Sequence, residues 1–591
     1  MKMNRIISLL LAGVLTAGCL SGCSKGEEED LKSPYDFEKF DPVIELTTDR
    51  DITNYIRSGT ETPVWEDDPY IKWCETNLGI RWKPKFVVSS KKEHDEKLVM
   101  LAATNDLPDV ICDAPAYMVK EWYKGGFLRT IQDDIKKWGS DLTKYLILDE
   151  YQKQTNGAGF AGYTTDEGKF YALPMVLDPR AGSWPKLFYR SDILDELGMK
   201  EPTSIQELEN VFAAYKEKYP DQAAYVLDDY FFGLASSIFQ LQGSYLNTYY
   251  EKNGEIVFGS IQPETKDALA TMRDWYKKGY IAKDFNTMKY ETEQTRFAEG
   301  NYFMVSAEQW FPRWMMPKLN AKKSTAKLTP LPQLKDRKGK VNQYYSQFFV
   351  QYPAVVSKTC KYPEAVIKEM NILYESGMRN QKDLREKGFS FRWPETEQKR
   401  PINPDEVKTK GVQYAKYDYT PEQVGPHFLN QGLTNTVGIL HGNANSRAVS
   451  TNAADPLQVL NLLRDNDYDM DAVYNALPSS QKTWFEMTFI INPEAMGNPW
   501  ACEATLKNTI QIDEMLKKGT AITDAGWTQA FTGQAYDDYT VALDDLEREY
   551  FVQIITGERP LDDYDKFVEA WRENGGDEIL AEKNVIFKNK K

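Results

Sequence analysis

Histidine is scarce in this 591-residue chain, with 3 copies at positions 94, 427 and 441, and none stands in HExxH or a similar zinc spacing. No GxSxG run occurs, so nucleophile-elbow chemistry has no anchor either. Cysteine is sparse, at 6 residues, and no CxxC or Cys/His spacing suggests a metal site. Lysine and arginine form no long runs and are outnumbered by acids, 72 against 88, for a net charge of −16. That balance excludes nucleic acid as an expected partner. After residue 22 no stretch approaches the roughly 18 uninterrupted apolar residues of a membrane span. The run from Gly157 to Gly162 matches GxGxxG, but Thr164 to Phe170 reads as strand-turn-strand, with no helix N-terminus for a pyrophosphate. No cofactor is expected.

What is present starts at the N-terminus. Lys2 and Arg5 precede an apolar run from Ile6 to Leu15 and a small-residue segment, the pattern of a secretory signal over residues 1–22. Leu20-Ser21-Gly22-Cys23 resembles the lipobox of bacterial lipoproteins, which implies cleavage before Cys23 and acylation of its thiol. Cys19 is a rival, with Thr16 where that box prefers Leu. The polar, acidic segment from Ser24 to Asp30 reads as a disordered tether, so residues 23–41 carry the lipid and the spacer, and folding begins near Pro42. Attachment to the membrane is expected through the lipid alone. Cys74, Cys112, Cys360 and Cys502 remain, and an exported location leaves both free buried thiols and one or two disulfides open.

About 550 residues follow, enough for two to four domains or two large lobes. Short β-rich runs alternate with helical periods, which argues for an α/β architecture with largely parallel sheets. Strands are expected at 43–47, 86–88, 109–112, 170–174, 187–189, 302–305 and 348–350. Helices are expected at 70–78, 91–104, 204–219, 263–278, 363–375, 544–556 and 562–574. Residues 376–456 are irregular, and the C-terminal third is mainly helical.

The run NDLPDVI at Asn105–Ile111, then Gly126-Phe127-Leu128 and GKFYALP at Gly168–Pro174, resemble successive landmarks of bacterial extracellular solute-binding proteins of the maltose-binding and larger lipoprotein type. So do LFYRSDIL at Leu187–Leu194, with Gly198 and Pro202-Thr203-Ser204 behind it, and FAEGNYFM at Phe297–Met304 leading to Trp310. Lys361 to Ala365 opens a further helix, and YFVQIITG at Tyr550–Gly557, with Trp571 and Gly575-Gly576-Asp577, looks like the end of the long oligosaccharide-associated members. The order and spacing of these pieces over nearly the whole chain carry the resemblance. It implies two α/β lobes of the periplasmic-binding-protein-like fold, joined by hinge crossings near Ala172–Asp178 and Tyr344–Val350, with a helical C-terminal region. The expected division is 42–175 for the first part of lobe 1 and 176–344 for the first part of lobe 2. A return to lobe 1 follows over 345–430, and a helical part, mostly lobe 2, over 431–591.

Large alginate- and glycosaminoglycan-binding relatives carry an Asp/Asn-rich calcium loop after the helix behind the Pro-Thr segment. Here that stretch, Lys216 to Gln222, lacks the alternating oxygen ligands calcium needs. Asp465 to Asp471 lacks the Gly and distal Glu of an EF-hand loop and reads as a helix start. No metal site is assigned.

Sugars present flat C–H faces and fans of hydroxyls, so a site for them needs rings to stack on and planar polar groups. The 13 per cent share of aromatic residues leaves rings beyond what a core consumes. Trp310, beyond the expected strand at 302–305, stands where maltose-binding relatives place a stacking Trp; a core position is its rival reading. Glu308 is the adjoining hydroxyl acceptor or a surface carboxylate. Asp113, after the strand at 109–112, and Asp178, in the first crossing, are polar contacts or local caps and turns. Trp65, Trp184, Trp314, Trp393 and Trp500 fall in Pro- or Asn-rich stretches without strand or helix periodicity, where rings can serve binding.

The expectation is a monomeric, lipid-anchored, non-catalytic protein on the outer face of the cytoplasmic membrane. It captures a carbohydrate, an oligosaccharide by preference, and delivers it to ABC transporter permease subunits. A lipid-anchored glycoside hydrolase or lyase using paired carboxylates is the alternative.

Overall fold

The computed structural model describes residues 39–52, 64–150, 163–176, 186–227, 236–308, 311–347, 350–378, 455–478, 497–524 and 533–590, less 68–70, 73, 113, 166 and 301, plus residues 62, 160, 485 and 489. The first sheet begins with β1 (Ile44–Asp51), β2 (Ile80–Val88), β3 (Val110–Ile111) and β4 (Leu173–Val176). A second sheet uses β5 (Lys186–Arg190) and β6 (Tyr225–Val226). A hairpin of β7 (Tyr249–Lys252) and β8 (Glu255–Phe258) follows, before β9 (Met304–Ala307) and β10 (Leu328–Pro330) return to that sheet. The chain then makes β11 (Tyr344–Gln347), β12 (Val350–Val356) and, far downstream, β13 (Ala521–Asp524).

The sheets run β2-β1-β3-β12-β4 and β10-β5-β9-β6, and β11 pairs with β13. Each large sheet sits between packed clusters: Leu46, Trp82, Ile135 and Met370 on one face of the first, with Leu98, Trp122 and Val355 on the other. The second sheet lies between a cluster containing Leu208, Phe212 and Trp275 and one containing Phe188, Phe311 and Met315. Two lobes, each with its own core, are the result.

Pairing departs from the expected parallel rule. β1 is parallel to β2 and β3, and β6 to β9, but β12 runs antiparallel to β3 and β4, and β5 antiparallel to β9 and β10. The reason is topological: β12 arrives from the second lobe at the end of the sheet by which β4 leaves, so the two must run in opposite directions.

The helix expected at 70–78 is there in its described residues: Ile71 and Lys72 are helical, and Cys74–Leu78 winds as a wide turn stopped by Gly79 at φ +66°, where a Cβ would strike the Phe40 carbonyl. The strand expected at 86–88 starts earlier, at Ile80. Ile80, Trp82, Phe86 and Val88 are buried, and Pro84 is accommodated at a register shift on this edge strand.

Helices begin where capping chemistry directs. Ser90 accepts from the Glu93 amide at 3.2 Å and Glu93 accepts from the Ser89 amide at 3.0 Å, opening Lys91–Ala103. Ser204 and Glu207 do the same for Ile205–Lys218. The Asp465–Asp471 segment does start a helix: the Asp469 carboxylate accepts from the amides of Asp471 and Ala472, capping Met470–Ala476.

At the C-terminal end, helices Gln534–Thr556, Asp563–Trp571 and Asp577–Lys590 place Phe551, Ile554, Phe567 and Trp571 in the second-lobe core, with Trp571 stacked on Phe258 at 4.7 Å. Helices Pro456–Asp465 and Pro499–Lys517 share a separate cluster with Phe485 and Phe489. Cys74, Cys112, Cys360 and Cys502 are all free and buried. No helix among the described residues is long and apolar enough to cross a membrane.

Candidate functional site

The two chain crossings come together. β4, leaving the first lobe, pairs with β12, entering it, with Val176 opposite Val350 and Leu173 opposite Ala354. On the second-lobe side β5 starts at Lys186 and β11 at Tyr344, and the Lys186 ammonium lies 4.1 Å from the centre of the Tyr344 ring. β11 is held by β13, by the Tyr344 amide on the Thr520 carbonyl at 2.8 Å, and by Tyr245, whose hydroxyl donates to the Gln343 carbonyl at 2.9 Å. Two adjacent crossing strands are the arrangement of a hinge about which two rigid cores can close.

On the second lobe, Lys186 pairs in register with Ala307, the last residue of β9, and Glu308 follows immediately, 6% exposed. β9 and β6 are parallel, so Glu308 stands just past their C-terminal ends, where open α/β sheets offer a crevice. Lys186 is 5% exposed, and burial pushes its ammonium down to about 7. Four residues on, Arg190 is buried as well but forms a two-pronged bond to Asp192, both contacts at 2.7 Å. Asp192 also accepts from the Lys327 amide, tying the end of β5 to the approach of β10.

On the first lobe, polar pins position the loop after β3. Asp109 accepts from the amide and hydroxyl of Thr47 at 2.8 and 2.7 Å. Asp49 accepts from the Cys112 amide at 3.0 Å and meets His94 Nε2 at 2.8 Å, entirely out of solvent. The end of β3 is thereby fixed from β1 and from the helix Lys91–Ala103 at once.

Of the residues singled out from sequence, Trp310, Asp113, Asp178, Trp184, Trp393 and Cys23 lie outside the described residues. Trp65 is 3% exposed in the first-lobe core, where its Nε1 donates to the Trp82 carbonyl at 2.8 Å and the Arg50 guanidinium lies 5.2 Å from its ring. Trp314 and Trp500, expected in irregular stretches, are both helical, in Phe311–Lys322 and Pro499–Lys517. They pack on the same second-lobe cluster. The Trp500 ring is flanked by Tyr468 at 4.4 Å and the Lys327 ammonium at 4.2 Å, and Trp314 by Phe311 at 5.0 Å and Lys318 at 4.8 Å. Periodicity missed these helices because each opens on a Pro-Trp or Phe-Pro pair, which suits a first turn but reads as loop text. Glu308 is thus brought beside the crossings, while Trp65 is set in the other lobe's core. Sequence reasoning overlooked Lys186 and Tyr344; the available signal was a lysine heading an otherwise apolar strand run.

Comparison with known proteins agrees with this architecture. Residues 56–378 match the family model described as bacterial extracellular solute-binding protein. The polygalacturonan/rhamnogalacturonan-binding protein YtcQ of Bacillus subtilis is 27% identical over 240 residues, 39% of this chain. The match spans 43% of the length of that relative. Among solved structures, the alginate-binding protein AlgQ2 superposes with a TM-score of 0.60 at 17% identity, covering 93% of this chain and 99% of that one. The Streptococcus pneumoniae ABC-transporter substrate-binding protein FusA, in complex with kestose, gives 0.57 at 15% identity, covering 92% and 99%. With more than half of its length matched by the family model and two lobes joined by paired crossing strands, the chain belongs to the bacterial extracellular solute-binding protein family.

Proposed function

We propose that this protein is a lipid-anchored extracellular receptor that captures a carbohydrate, preferentially an oligosaccharide, between its lobes and delivers it to the permease of an ABC importer. The observation that carries the reading is the hinge: β4 and β12 paired side by side between two separately packed cores, in a chain of the solute-binding family. Such a hinge lets a ligand gain contacts from both lobes at once, and closure follows from that differential affinity. The carbohydrate class is supported by the name of the curated relative, a polygalacturonan/rhamnogalacturonan-binding protein, and by the aromatic richness of the chain. The protein releases its ligand chemically unchanged, works as a monomer, and is held at the outer face of the cytoplasmic membrane by acylated Cys23. The lobes divide near residues 176 and 344, with 345–430 returning to the first lobe and 431–591 mostly joined to the second.

In this reading Trp310 stacks on a sugar ring and Glu308 accepts a hydroxyl. Asp113 and Asp178 contribute further polar contacts. The test is a glycan array on the full chain followed by titration of its best ligand. Bound glycan should raise the melting temperature, be recovered intact, and lower the radius of gyration measured by small-angle scattering. Trp310→Ala should weaken binding about thirtyfold, the value of about 2 kcal/mol for a lost aromatic anchor. Cleaved glycan would turn the reading to a hydrolase or lyase, and a native N-terminus unlipidated at Cys23 would remove the anchor.

A further inference from the structure

Lys186 is a buried cation with, among the described residues, no acid beside it. Among the described residues no carboxylate comes within ion-pairing distance of its ammonium and no acceptor takes a hydrogen bond from it; its neighbour is the face of Tyr344. The contrast with Arg190 is on the same strand and the same face, where burial is matched by the two-pronged Asp192 pair. An unpaired charge held away from water is costly, and proteins keep one where a function needs it. The place is also informative. Lys186 lies where both crossings enter the second lobe, in register with the end of β9 and one residue short of the level of Glu308.

We propose that Lys186 is the anion-reading residue of the ligand site, its ammonium meeting a carboxylate of an acidic, uronic-acid-containing oligosaccharide beside the Tyr344 ring. This rests on the carbohydrate reading above and narrows it to acidic glycans. A ligand carboxylate supplies the counter-charge that the protein leaves out, and the ring beside the ammonium offers the C–H face of a pyranose an apolar surface. A chain of net charge −16 repels a polyanion at long range, so its recognition requires a cation at the point of contact.

The amine also gives the site a proton linkage. With Lys186 pushed down to about 7, a good part of the free protein is neutral there at pH 7 and above, and an incoming carboxylate favours the charged form. Binding therefore takes up a proton. The titratable and charged groups on the elements around β5 are Tyr344 from β11, Glu308 after β9, Lys327 before β10, and the Arg190–Asp192 pair, whose carboxylate also takes the Lys323 ammonium at 3.0 Å.

The experiment is calorimetric titration of the full chain with trigalacturonate and with neutral galactotriose, from pH 6 to pH 8.5, for the parent protein, Lys186→Met and Lys186→Arg. Trigalacturonate should bind the parent in preference to galactotriose, with affinity falling towards about tenfold per pH unit above about 7. Lys186→Met should weaken trigalacturonate by about thirtyfold or more and abolish the pH dependence, while melting no lower than the parent because an unpaired buried charge has been removed. Lys186→Arg should bind without the pH dependence. Galactotriose binding as tightly as trigalacturonate, or trigalacturonate binding Lys186→Met with parental affinity, overturns the inference and leaves the carbohydrate reading standing. Failure of every acidic and neutral glycan on an array overturns both.

Discussion

Glu547 offers a quantitative test of how the C-terminal helices join the second lobe. It lies on the helix Gln534–Thr556, 1% exposed, and burial pushes its carboxyl up from the ordinary 4.5 to about 8. Asp544, one turn earlier, is raised to about 6, again by burial first and then by the neighbouring acid Asp545. Between pH 4.5 and 8 the folded protein holds a proton at Glu547 that the unfolded chain has released, so stability falls as pH rises through that window. At 1.36 kcal/mol per unit, the loss between pH 4.5 and pH 7 amounts to roughly 3 kcal/mol from this one group. Glu547→Gln keeps the shape and stays neutral. It should match the parent near pH 4.5 and exceed it by an amount of that order at pH 7 and above, retaining only the slope below about pH 6 that Asp544 supplies. Urea unfolding followed by tryptophan fluorescence at half-unit pH steps measures this directly. Parent and variant curves that stay parallel from pH 4.5 to 8 would refute the burial of Glu547 and, with it, the docking of this helix.

Trp65→Ala should lower the melting temperature of the ligand-free protein, because a large ring in the first-lobe core is lost and the Trp82 carbonyl loses its donor; the cost is about 3–5 kcal/mol, read by differential scanning calorimetry. Unchanged melting with lost glycan affinity would move Trp65 from the core to the ligand. Asp192→Asn should destabilise the second lobe by about 3–5 kcal/mol by leaving buried Arg190 without its partner, as seen in urea unfolding. Because its surroundings, the Arg190 guanidinium above all, hold the Asp192 carboxyl below the usual carboxylate range despite its burial, the stability it contributes is present above about pH 4 and lost as pH falls through its lowered value; the variant should lack that acid limb.

The elements legible in the sequence are those whose signal is local. Lys91–Ala103 and Ile205–Lys218 announce themselves by a serine cap with glutamate three residues on, and Pro263–Lys277 by proline in its first turn, because these features satisfy amides that the helix itself leaves open. The apolar run at Lys186–Arg190 and the order of short motifs along the chain likewise pointed to two lobes and a solute-binding architecture. Strand direction was not legible: whether β12 runs with or against β4 depends on the end of the sheet at which the chain returns, and no residue encodes that. Trp65 illustrates the same limit, since Pro- and acid-rich neighbours read as loop while a contact with Trp82, seventeen positions away, makes it core. The candidate site divides along this line. Glu308 could be named from its place after a strand. Lys186 could not, because what sets it apart is the Tyr344 ring above it and the lack, among the described residues, of an acid beside it, and both are properties of the two crossings brought together in space.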